Sequence, residues 1–291
     1  MPQIPSDTRG IVAPGDLVRH VDFQRIPAPL DLAGLVDWFW SVRWDLPMGF
    51  THRQRLVAHP AVNISVGIAP PPGENPPPGP YPLRAVVNGV TTTLTTRALS
   101  GSGWNIAAKT TVGGFGAWVD DVAALNDDVR PIDEQLGLDG AALSDGVAGV
   151  GLDEGVALLG EALLGVLERR DAQRVSTARQ VAEVASVADR DRSVRTVADL
   201  AAYAGVTVRT LQRMFGAYAG VSPTWVIRRF RLIDAAELVR EGQAVDWSVV
   251  ATDLGYADQA HLTRDFTATI GQSPAAYAKA QRQDPRQAPA P

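Results

Sequence analysis

Hydrophobic and polar positions alternate over Trp38, Trp40, Val42 and Trp44, with Phe39, Ser41 and Arg43 between them. Period two predicts a strand with one aromatic face. A second alternation sets Val62, Ile64, Val66 and Ile68 against Ala61, Asn63, Ser65 and Gly67, and predicts another strand. Before these, residues 1–30 read as a proline-rich arm leading into a short strand near Leu17–Phe23, and Asp31 is placed to cap a short helix, Leu32–Val36. Residues 69–82, APPPGENPPPGPYP, can form neither helix nor central strand and read as a stiff exposed loop. Val86–Val90 contains an Asn-Gly hairpin signal. The Thr-rich run to Thr96, then Leu99 and Asn105–Val119, continue the β pattern, with a bulge or bend at Gly113, Gly114 and Gly116.

The period then lengthens. Asp120 or Asp121 is placed to cap Val122–Leu125, and residues 126–152 read as short helical pieces. From Leu152 an amphipathic helix carries Val156, Leu159, Leu163, Val166 and Leu167 on one stripe. That stripe suits either packing on its own domain or a dimer surface. Ala172–Ala188 is another helix.

Beyond it one pattern is written twice. Leu211-Gln212-Arg213-Met214-Phe215 to Ser222-Pro223 and Leu262-Thr263-Arg264-Asp265-Phe266 to Ser273-Pro274 both fit L-x-R-x-F-x-A-x-x-G-x-S-P. Seven agreeing positions point to two copies of one structural unit. Each copy reads as helix, turn, helix. Thr196 with Asp199 has capping-box spacing, and the helix from Val197 to about Tyr203 stops at Gly205. Thr207 then caps a helix carrying Val208, Leu211, Met214 and Phe215 at apolar spacing, which leaves Arg209, Gln212 and Arg213 on the other face. In the second copy Asp246 and Asp258 are the caps. Leu262 and Phe266 are buried, and Gln259, Thr263 and Arg264 are exposed. Ser222-Pro223 opens a joining helix to about Arg240, near Gly242. Its length, roughly 27 Å, approaches the roughly 34 Å between successive major-groove faces.

Residues from about 171 to 283 resemble the DNA-binding domain of the AraC/XylS family of bacterial transcription regulators. The carriers are Leu211–Phe215, Ser222-Pro223, Gly255-Tyr256 and His261–Phe266. The resemblance implies that Arg209, Gln212 and Arg213 on one helix, and Gln259, His261, Thr263 and Arg264 on the other, face two adjacent major-groove segments of double-stranded DNA. Arg and Gln suit bidentate reading of base edges. The duplicated arginines have a second reading, a salt bridge that holds the fold. A weaker likeness, carried by Trp38-Phe39-Trp40 and His59–Ile64, links the first part of the chain to the sensor-type domain of a subset of these regulators and implies a cupin-like barrel without metal.

The expected fold class is therefore α+β. A β-rich, barrel-like domain with helices spans residues 1–168. An all-α domain of two helix-turn-helix units and a linker helix spans 171–283, and 284–291 form a disordered tail. A small-molecule effector, a homodimer and, for an activator, RNA polymerase are the further partners. Trp38, Trp40, Trp44, Trp104 and Trp118 are the candidate pocket walls, against the plainer reading of a packed core.

Charge and composition refine this. The chain's net charge is −5, yet residues 191–291 hold 12 Lys and Arg against 10 Asp and Glu. DNA binding needs a local basic face rather than a basic chain; Arg195, Arg209, Arg213, Arg228, Arg229, Arg231 and Arg264 are the candidates. There is no cysteine, which excludes disulfides, thiolate metal sites and cysteine nucleophiles. His20, His52 and His59 lack the spacing of paired ligands, so neither metal nor cofactor is expected, nor catalytic residues. No apolar run reaches membrane-spanning length and the first residues lack a signal-peptide pattern, so the expected location is the cytoplasm. Two alternatives stand beside the regulator: a β-domain enzyme tethered by the C-terminal domain, and a purely structural dimeriser.

Overall fold

The computed structural model describes residues 20–56, 59–71, 73, 75, 80–241 and 245–283. Most of the expected arm, most of the proline loop, Gly242 and the tail lie outside them. Eight strands come first: β1 (Val21–Pro27), β2 (Val36–Asp45), β3 (Thr51–Leu56), β4 (Asn63–Ile68), β5 (Leu83–Asn88), β6 (Thr95–Ser100), β7 (Ser102–Thr110) and β8 (Val129–Pro131). Six form one antiparallel sheet in the order β1-β2-β7-β4-β5-β8. The other two, β3 and β6, form a separate two-stranded sheet, and β6 is also bridged at Arg97 by Gly73.

No closed barrel forms among the described residues, which corrects the barrel expectation. The cause is local. The β2–β3 and β6–β7 connections bend at Gly49 and Gly101, both at positive φ, where L side chains are strained. The ribbon of β3 and β6 is a separate two-stranded sheet, and among the described residues β1 and β8 are the outer strands of the main sheet. Two shorter expectations are also corrected. Leu30–Leu32 is a single 3-10 turn and Val36 already belongs to β2, so no helix covers Leu32–Val36. Asn88-Gly89 makes no hairpin: β5 pairs with β4 and β8, and Gly89 sits against the Leu125 backbone.

Register divides the main sheet into two faces. Phe39, Ala108, Ile64 and Val87 lie in one cross-strand row, and cross-strand partners share a face. This face is buried against helix. Ten helices follow the strands: α1 (Ile132–Leu136), α2 (Gly140–Ala148), α3 (Leu152–Leu167), α4 (Ala172–Arg190), α5 (Val197–Tyr203), α6 (Val208–Ala219), α7 (Pro223–Arg240), α8 (Trp247–Asp253), α9 (Gln259–Ile270) and α10 (Pro274–Gln283). The α3 stripe, Val156, Leu159, Leu163 and Val166, is buried in the core of its own chain, so it offers no dimer surface. Trp118 joins the same core, its indole N–H donating to the Leu163 carbonyl at 3.0 Å.

One core runs from the sheet through α3 and α4 to Leu200, Leu211, Phe215, Val226 and Phe230. The first helix-turn-helix unit, α5–α6, is thus built onto the N-terminal layer. Gly116 makes this close approach feasible, because a Cβ there would lie 2.6 Å from Tyr218 Cα. The second unit, α8–α9, has a separate core of Leu232, Ile233, Val239, Leu262, Phe266, Ile270 and Tyr277 with their neighbours. Helix α7 contributes its first half to one core and its second half to the other.

Candidate nucleic-acid interface and candidate binding cavity

The caps read from sequence set the two candidate recognition helices. Thr207 accepts from the Thr210 amide and starts α6. Asp258 accepts from the His261 amide at 2.7 Å and starts α9. Before them, Thr196 and Asp199 form a complete capping box on α5, and Asp246 caps α8. Gly205 and Gly255 sit at φ +64 and +66 and turn the chain between the helices of each unit. Hydrogen bonds from Thr196 and Arg195 hold the Asp199 carboxyl below the usual range, and those from Ser248 and Val249 do the same for Asp246.

Arg209, Gln212 and Arg213 are exposed along α6, opposite the buried Leu211 and Phe215. On α9, Gln259 and Arg264 are exposed, while His261 and Thr263 are half-buried. His261 lies edge-on to Tyr256, with centroids 5.0 Å apart. Among the described residues Arg213 and Arg264 hold no ion pair. The salt-bridge reading of the duplicated arginine therefore finds no partner there. The neighbouring Asp265 accepts instead from the Tyr256 hydroxyl. Burial, and then that bond, push the Tyr256 phenol well above its ordinary range.

The basic face is narrower than the sequence implied. Arg195 pairs with Asp253 at 2.9 Å, bridging the two units. Arg228 stacks over Tyr256. Arg231 is spent inside the protein, on Asp234 and on the Asp191 and Val194 carbonyls. Arg229 is buried on α7, stacks over Trp225 and donates to the Thr92 carbonyl at 2.6 Å. Burial lowers its pKa to about 10, against the opposing pull of Asp265 and Asp127. What remains outward is Arg209, Arg213 and Arg264. Apolar spacing alone did not separate solvent-facing arginines on α6 and α9 from buried ones on α7, because α7 has apolar neighbours on nearly every side.

The second face of the main sheet is the opposite case. Its row of Trp40, Ala107, Ser65 and Val86 faces the β3–β6 ribbon across a cavity of about 300 Å³. Trp38, Trp40 and Trp44 line it; Trp104 and Trp118 do not. Trp104 is half-buried outside the cavity and Trp118 is core, so the structure does not bring all five tryptophans together. Trp40 donates to Asn63 Oδ1 at 3.1 Å and Trp44 to the Ser100 carbonyl at 3.3 Å. Trp38 is covered by cations, with Lys109 Nζ 3.8 Å and Arg25 Cζ 4.3 Å from its ring centroid. Lys109 also pairs with Asp37 at 2.6 Å.

Arg25, Arg84, Arg97 and Lys109 all line the cavity, and no Asp or Glu does so among the described residues. The sequence reading missed these four. Their signal was the polar half of each strand alternation, which points inward here. Among the described residues, no group of three His, Asp or Glu side chains is arranged to hold a metal.

Comparison with known proteins bears on both halves. Residues 200–280 match a family model described as a helix-turn-helix domain. Residues 24–129 match a domain of unknown function, DUF6597. A putative AraC-like transcription regulator of Streptomyces lividans is 38% identical over 84 residues, which are 29% of this chain. The match spans 27% of that protein's length. A Streptomyces antibioticus protein of the same description is 34% identical over 84 residues, with the same coverage of both chains. Among solved structures, a transcriptional regulator with an AraC-type DNA-binding domain from Chromobacterium violaceum covers 38% of this chain and 97% of its own at 20% identity and TM-score 0.32. ToxT from Vibrio cholerae covers 79% of this chain and 97% of its own at 12% identity and TM-score 0.36. No helix of the described residues is long and apolar enough to cross a membrane.

Proposed function

We propose that this chain, whose C-terminal part is an AraC-type helix-turn-helix domain, regulates transcription by docking both of its units on one face of a DNA duplex. The observation that carries this is the pair of recognition helices. Each is capped at its start by its own Thr or Asp. Each presents an exposed arginine without an ion pair, and one 18-residue helix joins the units. Arg209, Gln212 and Arg213 read one groove segment, and Gln259, His261, Thr263 and Arg264 the next. Arginine is suited to guanine and glutamine to adenine in the major groove. Exposed, unpaired guanidiniums have no native partner to give up on binding.

The N-terminal layer, residues 1–168, acts in this reading as the sensor for a small molecule held in the cavity, and residues 171–283 as the DNA-binding part. A ligand can shift DNA affinity only through a difference in its own affinity for two arrangements. A physical link for such a difference is on hand. Gly89 and Thr91 line the cavity, and the next residue, Thr92, accepts the Arg229 hydrogen bond from α7. His59, also on the cavity wall, lies 6.3 Å from the Phe230 ring of the same helix. The walls that meet the ligand thus touch the helix that spaces the two recognition helices.

Selection of binding sites from random duplexes by the purified chain tests the reading. A defined site whose binding weakens steeply with salt is the expected result. Absence of enrichment, from both the full chain and residues 171–283, would overturn it.

A further inference from the structure

We propose that the cavity binds an amphipathic anion, its charged group held between Arg84 and Arg97 and its apolar body lying against Trp40 and Trp44. The proposal deepens the sensor reading above and rests on it only for its effect on DNA.

The starting point is charge without counter-charge. Arg84 on β5 and Arg97 on β6 belong to different sheets and both line the cavity, close enough for the charge of Arg84 to act on Arg97. Neither has an ion pair among the described residues. Proteins rarely bury a cation without a paired anion, because desolvation is costly. Arg97 is half-buried at the cavity wall, and burial, with Arg84 repelling it, lowers its pKa to about 10. A group that shields both guanidiniums relieves this, and no carboxylate of the cavity wall does so.

Arg97 is also held in place. Its guanidinium donates to Asn88 Oδ1 at 3.3 Å, and Asn88 donates in turn to Ser65 Oγ at 3.0 Å and to the Asn63 carbonyl at 3.2 Å. The remaining N–H groups of its planar fork suit an oxyanion. The rest of the lining decides the body of the ligand. Trp40, Trp44, Val42, Val86, Phe23 and Leu99 leave most of the wall apolar, which disfavours sugars and inorganic phosphate. At about 300 Å³ the space is at the small end of the range for small-molecule sites.

The test uses matched pairs of one body with and without charge: 2-naphthoate and 2-naphthamide, cinnamate and cinnamamide, octanoate and octanamide. Binding to the full chain is followed by tryptophan fluorescence, since three tryptophans line the cavity, and by calorimetry. The expected result is saturable binding of at least one acid, at least about tenfold tighter than its amide, as befits charge-assisted hydrogen bonds. Arg97→Gln removes that preference, Arg97→Lys restores part of it, and Arg84→Gln weakens the acid without touching the amide. Acids that bind no better than amides, or no binding by any pair, would overturn the proposal. An acid that binds through Arg97 but leaves DNA affinity unchanged supports the site and removes the sensor reading instead. A phosphonate or sulfonate of the same body that binds as tightly as the carboxylate supports the site and shows that it reads charge rather than the carboxylate.

Discussion

Phe215 and Phe266 occupy the same position of the duplicated pattern, and both are fully buried. They belong to different cores, so the same substitution has different reach. Replacing a buried Phe with Ala typically costs about 3–5 kcal/mol through lost transfer energy and the cavity left behind. For Phe266→Ala the lost neighbours include the Trp247 ring, edge-on at 4.9 Å, and the Tyr277 ring at 5.9 Å. Among the described residues that core has eleven buried hydrophobic residues, so a loss of this size is expected to open the second unit locally. The opening equilibrium rises by roughly two to four powers of ten. Native-state hydrogen exchange resolves the result by segment. Phe266→Ala is expected to strip protection from residues 246–281 and leave β2, β4, β7 and α3 unchanged. Phe215→Ala is expected to lower protection from the sheet to α6 together, because one core spans them. Equal loss of protection along the whole chain in both variants would refute the two-core account.

Other outcomes follow from the same structure. Arg213→Ala and Arg264→Ala are each expected to weaken a selected DNA site by about 1–3 kcal/mol without changing the melting temperature, read by titration and thermal unfolding. Gly116→Val drives a side chain into Tyr218 and is expected to destabilise by about 1–3 kcal/mol, the usual range for overpacking, read by denaturant unfolding. Arg229→Gln, which loosens the bond to the Thr92 carbonyl, is expected to leave ligand binding in place while DNA affinity stops responding to ligand. Asp127, Asp199 and Asp246 have carboxyls lowered in the fold; for Asp127 the hydrogen bonds of Thr92 and Thr93 outweigh the opposing effect of burial. Their stabilisation is present above the unfolded carboxylate range and is lost as pH falls through the folded values. Acid unfolding of the parent is therefore expected to begin below about pH 4, and Asp199→Asn to flatten that slope.

The helical half was legible because its signals are local. Thr196, Thr207, Ser222, Asp246 and Asp258 each cap a helix where the spacing placed them, and Gly205 and Gly255 turn at positive φ as expected. The β half was less legible because pairing there is not local. The Trp38–Trp44 alternation gives a strand, yet only the register with β7 and β4 shows which face is core and which lines a cavity. Asn63, Ser65 and Asn88 look like a solvent face in sequence and form the cavity floor in the fold. The polar position of Arg97 on its strand did not by itself point to a site, since its meaning depends on a ribbon that folds across from another part of the chain. The same holds for Arg229, whose burial needs the Thr92 loop.

The most direct measurement is a hydroxyl-radical footprint on a selected site, made with the parent chain and with Arg213→Ala and Arg264→Ala. The expected footprint has two protected segments about one helical turn apart on one face of the duplex, with Arg213→Ala weakening one segment and Arg264→Ala the other. A single protected segment, or two segments that respond identically to both substitutions, would contradict docking by two separate recognition helices.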